Sequence, residues 1–152
     1  MNDGKMHTPP FGITVRVYYE DTDTGGIVYY ANYLKFCERC RTEFLRQFGV
    51  SQEQMLKDGL GFVIRSIKGR YLNSARLDDL LTITCIPTKV KFASLSMYQE
   101  VINERNEVLF TFECDIAFLN LAKRKPELIP KDMLRELKNS QPLEPEKYRV
   151  AL

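Results

Sequence analysis

Residues 17–48 read V-Y-Y-E-D-T-D-T-G-G-I-V-Y-Y-A-N-Y-L-K-F-C-E-R-C-R-T-E-F-L-R-Q-F, and this stretch decides the fold. Apolar residues occupy every second position from Ile13 to Val17, a period that predicts a strand over residues 12–19. The E-D-T-D-T-G-G of residues 20–26 predicts a tight turn, because glycine reaches backbone angles closed to other residues and aspartate hydrogen-bonds its local backbone. An acidic turn therefore stands between a strand and a helix.

A long amphipathic helix is predicted from residue 30 or 31 to residue 48. Its apolar residues recur every three or four positions and so share one face: Tyr33, Phe36, Cys37, Cys40, Phe44 and Phe48. Gly49 is a suitable stop, because glycine is common just past a helix end. A helix of about 27 Å with so wide an apolar stripe is expected to lie against a sheet.

The rest of the chain supplies that sheet. A short helix follows from residue 50, with Ser51 as N-cap and Gln54 at the matching capping-box position, and it ends at Gly59 or Gly61. Four strands are predicted at residues 62–73, 80–91, 93–103 and 108–121, joined by short turns that imply antiparallel pairing. A last amphipathic helix covers residues 130–138.

This order of elements predicts an α+β domain, in which one antiparallel sheet is wrapped around one long central helix. Residues 1–11 are expected to form a flexible lead-in and residues 12–140 the single domain. Residues 141–152, which contain two prolines, are expected to be a loosely held tail.

Composition sets further limits. A chain of 152 residues with a net charge of +2 suits one domain without a strong attraction to nucleic acid. No apolar run approaches the roughly 20 residues of a membrane span, and the N-terminus lacks the apolar core of a signal peptide. We therefore expect a cytoplasmic protein with reduced cysteines. Cys37 and Cys40 are expected to be buried small residues, and with His7 as the only histidine no metal site is predicted.

Three motifs resemble one family. The pattern D-x-D-x-x-G-x-V-x-x-x-x-Y spans residues 21–33, R-Y-L-N-S-A-R-L-D-D-L-L-T-I spans residues 70–83, and K-V-K-F-A-S-L-S spans residues 89–96. Together they resemble the 4-hydroxybenzoyl-CoA thioesterase family of hotdog-fold proteins, over roughly residues 12–130. The likeness is greatest to the acyl-CoA thioesterases encoded with the bacterial Tol-Pal system. That subgroup usually has histidine at the position of Tyr30, where the 4-hydroxybenzoyl-CoA type has tyrosine.

The resemblance implies a hotdog fold that forms a homodimer or homotetramer, with active sites at subunit interfaces. By motif position the family's catalytic carboxylate falls on Asp23, and the backbone N–H that polarises the thioester carbonyl falls on Tyr30. Family placement puts the contacts to coenzyme A near Lys91, Ala93 and Ser94. The substrate would be an acyl-CoA, and no cofactor beyond its CoA is expected.

The residues themselves suit that chemistry. Asp23 could either attack the thioester carbonyl or activate a water, and the residues leave this open. Amides at the start of the helix, at Tyr30 and Ala31, would favour a developing negative charge. Asp21 is expected to be structural or to tune Asp23. Glu38, the type of residue that another hotdog branch uses, is expected to be solvated or paired with Lys35 or Arg41.

The remaining candidates concern binding. The basic segment that contains Arg124 could meet the phosphates of CoA. Aromatic residues could line a pocket for an aryl or aliphatic acyl group: Tyr18, Tyr29, Tyr30, Tyr33 and Phe62. The alternative function is a hotdog module that binds acyl-CoA or acyl carrier protein without hydrolysis. A dehydratase is disfavoured, because such enzymes usually rely on a histidine in the site.

Overall fold

A computed structural model describes residues 10–151 of the chain. It contains six strands: β1 (Phe11–Arg16), β2 (Leu60–Tyr71), β3 (Leu80–Val90), β4 (Ser94–Ile102), β5 (Val108–Asn120) and β6 (Lys125–Pro126). Three α-helices accompany them: α1 (Asn32–Arg46), α2 (Gln52–Lys57) and α3 (Lys131–Asn139). Residues 1–9 of the predicted lead-in lie outside the described residues. Phe11, also assigned to that lead-in, instead lies in β1 and pairs with Cys85 of β3.

The strands form one antiparallel sheet in the order β1-β3-β4-β5-β2, with β6 paired to the end of β5. The sheet curls around α1, so the predicted α+β class with the hotdog arrangement is confirmed. One edge of the sheet is β1. The other is β2, whose outer side pairs with no strand of the described residues.

The core lies between α1 and the concave face of the sheet. The predicted stripe is buried there from Tyr33 to Phe44, with Phe36, Cys37 and Cys40 fully enclosed, whereas Phe48 lies past the end of α1 and is half-buried. Strand β5 contributes alternate side chains to the same core, because successive residues of a strand point to opposite faces. These are Phe110, Phe112, Cys114, Ile116 and Phe118, none more than 4% exposed.

Several element ends differ from the predictions. The first strand ends at Arg16, because residues Tyr19–Asp21 form a 3-10 turn instead of extended chain. Helix α1 begins at Asn32, with Ala31 in the N-cap position. The predicted stop at Gly49 is confirmed by its left-handed φ of 78°. The cap at Ser51 is also confirmed, but the Gln54 side chain donates to Asp58 and does not complete a capping box.

The prediction of a loosely held tail is wrong for the described residues 141–151. Val150 is 3% exposed, and its N–H donates to a carboxylate oxygen of Glu113 on β5 at 2.7 Å. The ring of Tyr148 packs on Tyr98 with 5.9 Å between centroids. The sequence does not predict these contacts. The tail packs on the sheet through isolated side chains, which follow no periodic pattern.

Burial of the cysteines predicts a loss of stability in alkali. Burial raises the pKa of Cys37, Cys85 and Cys114. The folded state therefore holds these thiol protons more tightly than the unfolded state, whose thiols have a pKa of about 8.5. Stability is fully present below that pH and falls as pH rises above it, by up to about 1.4 kcal/mol per pH unit for each thiol.

Urea unfolding at pH 7.5, 8.5 and 9.5 measures this effect. We expect the free energy of unfolding to fall across the series, and to fall less in Cys37→Ala, which lacks one of the buried thiols. A free energy that stays constant to pH 9.5 would contradict the burial of these thiols.

Candidate active site

The acidic turn folds into a short hairpin. Thr22 and Val28 form a bridge, and the Asp23 N–H donates to the Ile27 carbonyl at 3.0 Å. The Gly26 N–H donates back to the Asp23 carbonyl at 3.1 Å. Gly26 has a φ of 75°, a conformation that a side chain would strain. The backbone around Asp23 is therefore fixed by its own hydrogen bonds.

Asp21 anchors this hairpin to the start of α1. Its carboxylate is buried and accepts from the Tyr18 N–H and from the Asn32 side-chain amide, both at 2.9 Å. Its carbonyl accepts from the Tyr29 N–H at 2.8 Å. These three bonds give Asp21 the structural role expected from the sequence.

Asp23 presents its carboxylate outward. The side chain is exposed, and one oxygen, Oδ1, accepts from the Gly25 N–H at 2.9 Å. Within residues 10–151 no donor contacts the second oxygen, Oδ2. The turn thus holds Asp23 in a defined orientation and leaves one carboxylate oxygen available.

The first turn of α1 presents free backbone amides. The Asn32 N–H donates to the Tyr29 carbonyl at 2.8 Å, but the N–H groups of Tyr30 and Ala31 meet no acceptor in the described part of the chain. Such amides, together with the helix dipole, favour a negative charge. A carboxylate and two unpaired amides therefore lie within one short stretch of chain that is held together by hydrogen bonds.

A second segment braces the hairpin from behind. The Val28 N–H donates to the Ala75 carbonyl at 2.9 Å, and the Leu77 N–H donates to the Gly26 carbonyl at 3.1 Å. Both partners belong to the loop between β2 and β3. The motif around residues 70–83 therefore supports the turn that carries Asp23.

Tyr33 belongs to this bracing. Its hydroxyl accepts from the Ala75 N–H at 2.9 Å, and its side chain is 2% exposed, packed on Tyr71 and Phe110. This position argues against the predicted contact between Tyr33 and a substrate. Tyr29 and Tyr30 are exposed, by 44% and 63%, and their ring centroids lie 4.8 Å apart.

The predicted CoA contacts lie at the opposite end of the sheet. Lys91 and Ser94 close the turn between β3 and β4 through a 2.8 Å backbone bond, and Ser94 pairs with Ala117 of β5. Arg124 lies in the exposed turn between β5 and β6, with a positive φ of 53°. Lys91 is exposed, Ala93 is half-buried and Ser94 is buried.

The separation between the start of α1 and the predicted CoA contacts follows from the register of the strands. Tyr71, which contacts the start of α1, pairs with Phe110, whereas Ser94 pairs with Ala117. These two β5 residues are seven positions apart, about 23 Å at the rise of a strand. One chain therefore keeps Asp23 and the predicted CoA contacts apart, which the order of motifs in the sequence does not reveal.

Glu38 takes no part in this arrangement. It is exposed and accepts from the Thr42 hydroxyl at 2.8 Å, so neither expected partner, Lys35 nor Arg41, binds it. Arg41 instead donates to the side-chain oxygen of fully buried Gln99 at 2.9 Å. Among residues 10–151 no group of three or more His, Cys, Asp or Glu side chains could hold a metal ion.

The outer edge of β2 is a structural feature that the sequence did not predict. Its residues are exposed along most of the strand, and they include large apolar side chains: Val63, Ile64, Ile67 and Tyr71, each 40–52% exposed. An edge strand with unpaired backbone groups and apolar side chains is a template for pairing with another strand. No helix among the described residues is long and apolar enough to span a membrane.

Known proteins share this architecture. The profile of the Thioesterase-like superfamily matches residues 17–137. The acyl-CoA thioester hydrolase YbgC of Escherichia coli O6:H1 is 41% identical over 133 residues, which cover 88% of this chain and 99% of that protein. Among solved structures, a probable thioesterase from Bartonella henselae has a TM-score of 0.74 at 35% identity, over 80% of this chain and 100% of that chain.

A more distant structure shares the fold. The hypothetical protein SAV2348 from Staphylococcus aureus, solved in complex with CoA, has a TM-score of 0.82 at 18% identity, over 95% of this chain and 96% of that chain. Profile, relative and structures agree with the family that the three motifs predicted. The chain belongs to the Thioesterase-like superfamily.

Proposed function

We propose that the protein is an acyl-CoA thioesterase, in which Asp23 and the amides at the start of α1 hydrolyse the thioester. The observation that carries the proposal is the exposed Asp23 carboxylate. The hairpin that holds it is hydrogen-bonded to the start of α1, where the N–H groups of Tyr30 and Ala31 are unpaired within the described residues. The names of the full-length relatives, which are acyl-CoA thioester hydrolases, support the same activity.

Two routes use these groups. In the first, an oxygen of Asp23 attacks the carbonyl carbon, the C–S bond breaks, CoA leaves as a thiolate that takes up a proton, and water cleaves the resulting anhydride. In the second, Asp23 removes a proton from a water whose oxygen attacks the carbonyl carbon, and the departing thiolate takes up a proton. Both routes give a free acid and CoA.

The Tyr30 amide would stabilise the intermediate in either route. Attack converts the thioester carbonyl into an oxyanion, and a fixed backbone N–H aimed at that oxygen lowers the barrier. Removal of one such donor typically costs about 10²–10³ in rate. The N–H groups at the start of α1 suit this role because nothing in the described chain accepts their hydrogen bonds.

The complete site would need a second copy of the chain. Antiparallel pairing of the open β2 edges would bring the Leu60 end of one strand beside the Tyr71 end of the other. The partner's turns that correspond to Lys91 and Arg124 would then approach Tyr30 across the interface. The separation of about 23 Å within one chain supports this composite site. The assembly is a dimer, or a tetramer built from two dimers.

Coenzyme A would bind across that interface. The cations of Lys91 and Arg124 would meet its phosphates, and the turn at Ala93 and Ser94 would border its pantetheine arm. Tyr29 and Tyr30 would lie along the acyl group. A basic surface of this kind also suits an acidic acyl carrier protein as the donor. A cytoplasmic location remains a prediction from the sequence.

A panel of thioesters tests the proposal. Purified protein is mixed with aryl-CoA, short-chain and long-chain acyl-CoA, and acyl carrier protein thioesters, and free thiol is measured. We expect thiol release well above spontaneous hydrolysis for at least one class. Binding of a thioester without release would favour the non-catalytic module, and its preferred class would identify the acyl group.

A further inference from the structure

Tyr71 makes a contact that takes no part in the two proposed routes. It is the last residue of β2, and its hydroxyl donates to the carbonyl oxygen of Tyr30 at 2.8 Å. These residues are 41 positions apart in sequence. A strand at the edge of the sheet therefore holds the backbone of the residue that is proposed to bind the oxyanion.

The backbone around Tyr30 is fixed from both sides. The Tyr29 carbonyl accepts from the Asn32 N–H at 2.8 Å, and the Tyr30 carbonyl accepts from Tyr71. In a trans peptide the C=O and the N–H point in opposite directions. The first bond therefore sets the direction of the Tyr30 N–H, and the second sets that of the Ala31 N–H.

The Tyr71 bond matters because this point of the chain has little other support. Tyr30 precedes the regular turns of α1, and its own side chain is 63% exposed. The Tyr71 ring is 49% exposed, but its inner side packs, with the centroid 4.7 Å from that of Phe110 and 5.5 Å from that of Tyr33. A tyrosine hydroxyl has an ordinary pKa of about 10 and is therefore a donor at neutral pH, and partial burial raises the pKa of Tyr71 further.

We infer that Tyr71 is a positioning residue for the thioesterase reaction: its hydroxyl holds the Tyr30–Ala31 peptide so that the Ala31 N–H faces the developing oxyanion beside the Tyr30 N–H. This inference rests on the proposed function. It assigns to the edge strand a role in catalysis that acts through the backbone, without contact between Tyr71 and the reacting atoms.

Tyr71→Phe tests this inference, because phenylalanine keeps the packed ring and removes only the hydroxyl. Misplaced transition-state donors lower turnover more than ground-state binding. We expect kcat to fall about tenfold, the scale of one lost hydrogen bond, with KM within about twofold of wild type. The thermal midpoint should change little, because the ring contacts remain.

Tyr98→Phe is the matched control. Its hydroxyl donates to Glu100 at 2.7 Å, away from the start of α1, so kcat should not change. The amide resonances of Tyr30 and Ala31 in ¹H–¹⁵N spectra give a second readout, and they should shift in Tyr71→Phe and stay in place in Tyr98→Phe.

Three results would overturn the inference. They are a folded Tyr71→Phe with wild-type kcat, an equal loss of kcat in both variants, and a change in KM alone. If Asp23→Asn is inactive while Tyr71→Phe is fully active, the positioning role fails and the proposed function stands. A wild-type protein that hydrolyses no thioester would remove both.

Discussion

Asp23→Asn should lower kcat on the preferred acyl-CoA by about two orders of magnitude or more, whether Asp23 acts as nucleophile or as base. Asparagine has nearly the same shape, and its side-chain oxygen can still accept from the Gly25 N–H. It lacks the negative charge that attacks carbon or removes a proton. The hairpin bonds that involve the backbone of Asp23 stay in place, so the fold should be unchanged.

Steady-state thiol release and a thermal melt measure the two parts of this prediction. Asp132→Asn, an exposed aspartate on α3, is the control and should have wild-type kcat. A folded Asp23→Asn protein that turns over acyl-CoA at the wild-type rate would show that Asp23 is not the catalytic carboxylate.

Ile67→Lys should yield a monomer with at least about a hundredfold loss of kcat/KM. Ile67 is 52% exposed on the open edge strand, and lysine at such an edge opposes strand pairing. Its charge would also be desolvated in the interface without a partner. Activity should fall together with assembly, because in the proposed composite site the Asp23 turn of one copy meets the Lys91 and Arg124 turns of the other.

Sedimentation of Ile67→Lys gives the mass, and thiol release gives the activity. Leu143→Lys is the matched control, since Leu143 is 58% exposed but belongs to the tail, away from β2. A fully active monomer would mean that one chain contains a complete site. A variant that stays dimeric would show that the interface lies elsewhere.

Mixed subunits test the composite site without a change in the interface strand. Asp23→Asn and a Lys91→Glu/Arg124→Glu variant should each be nearly inactive alone. A mixed dimer would contain one site with both intact halves, so an equal mixture should regain about a quarter of wild-type activity. Absence of any recovery in dimers shown to have exchanged would contradict the composite site.

Local patterns predicted most elements of the fold. The stripe of α1, the cap at Ser51 and the stop at Gly49 depend on spacings of a few residues, and the structure confirms them. The structural role of Asp21 was also predictable, because an aspartate before a helix hydrogen-bonds nearby backbone. The family motif led to Asp23, which the structure places on an exposed turn, and its catalytic role stays a prediction.

Long-range register decided what the sequence could not predict. Tyr33 fits the helical stripe and the family motif equally well, and only the bond to Ala75 shows that it braces the site. The distance between Tyr71 and Ser94 depends on their pairing with β5. The contact of Val150 with Glu113 joins residues 37 positions apart and follows no period.

A structure with a bound, non-hydrolysable acyl-CoA analogue tests the central claim most directly. We predict that the carbonyl oxygen of the analogue lies about 3 Å from the Tyr30 amide nitrogen, with an Asp23 oxygen about 3–3.5 Å from the carbonyl carbon or from an ordered water beside it. An analogue whose carbonyl binds far from Tyr30, or an Asp23 carboxylate turned away from it in every subunit, would contradict the claim.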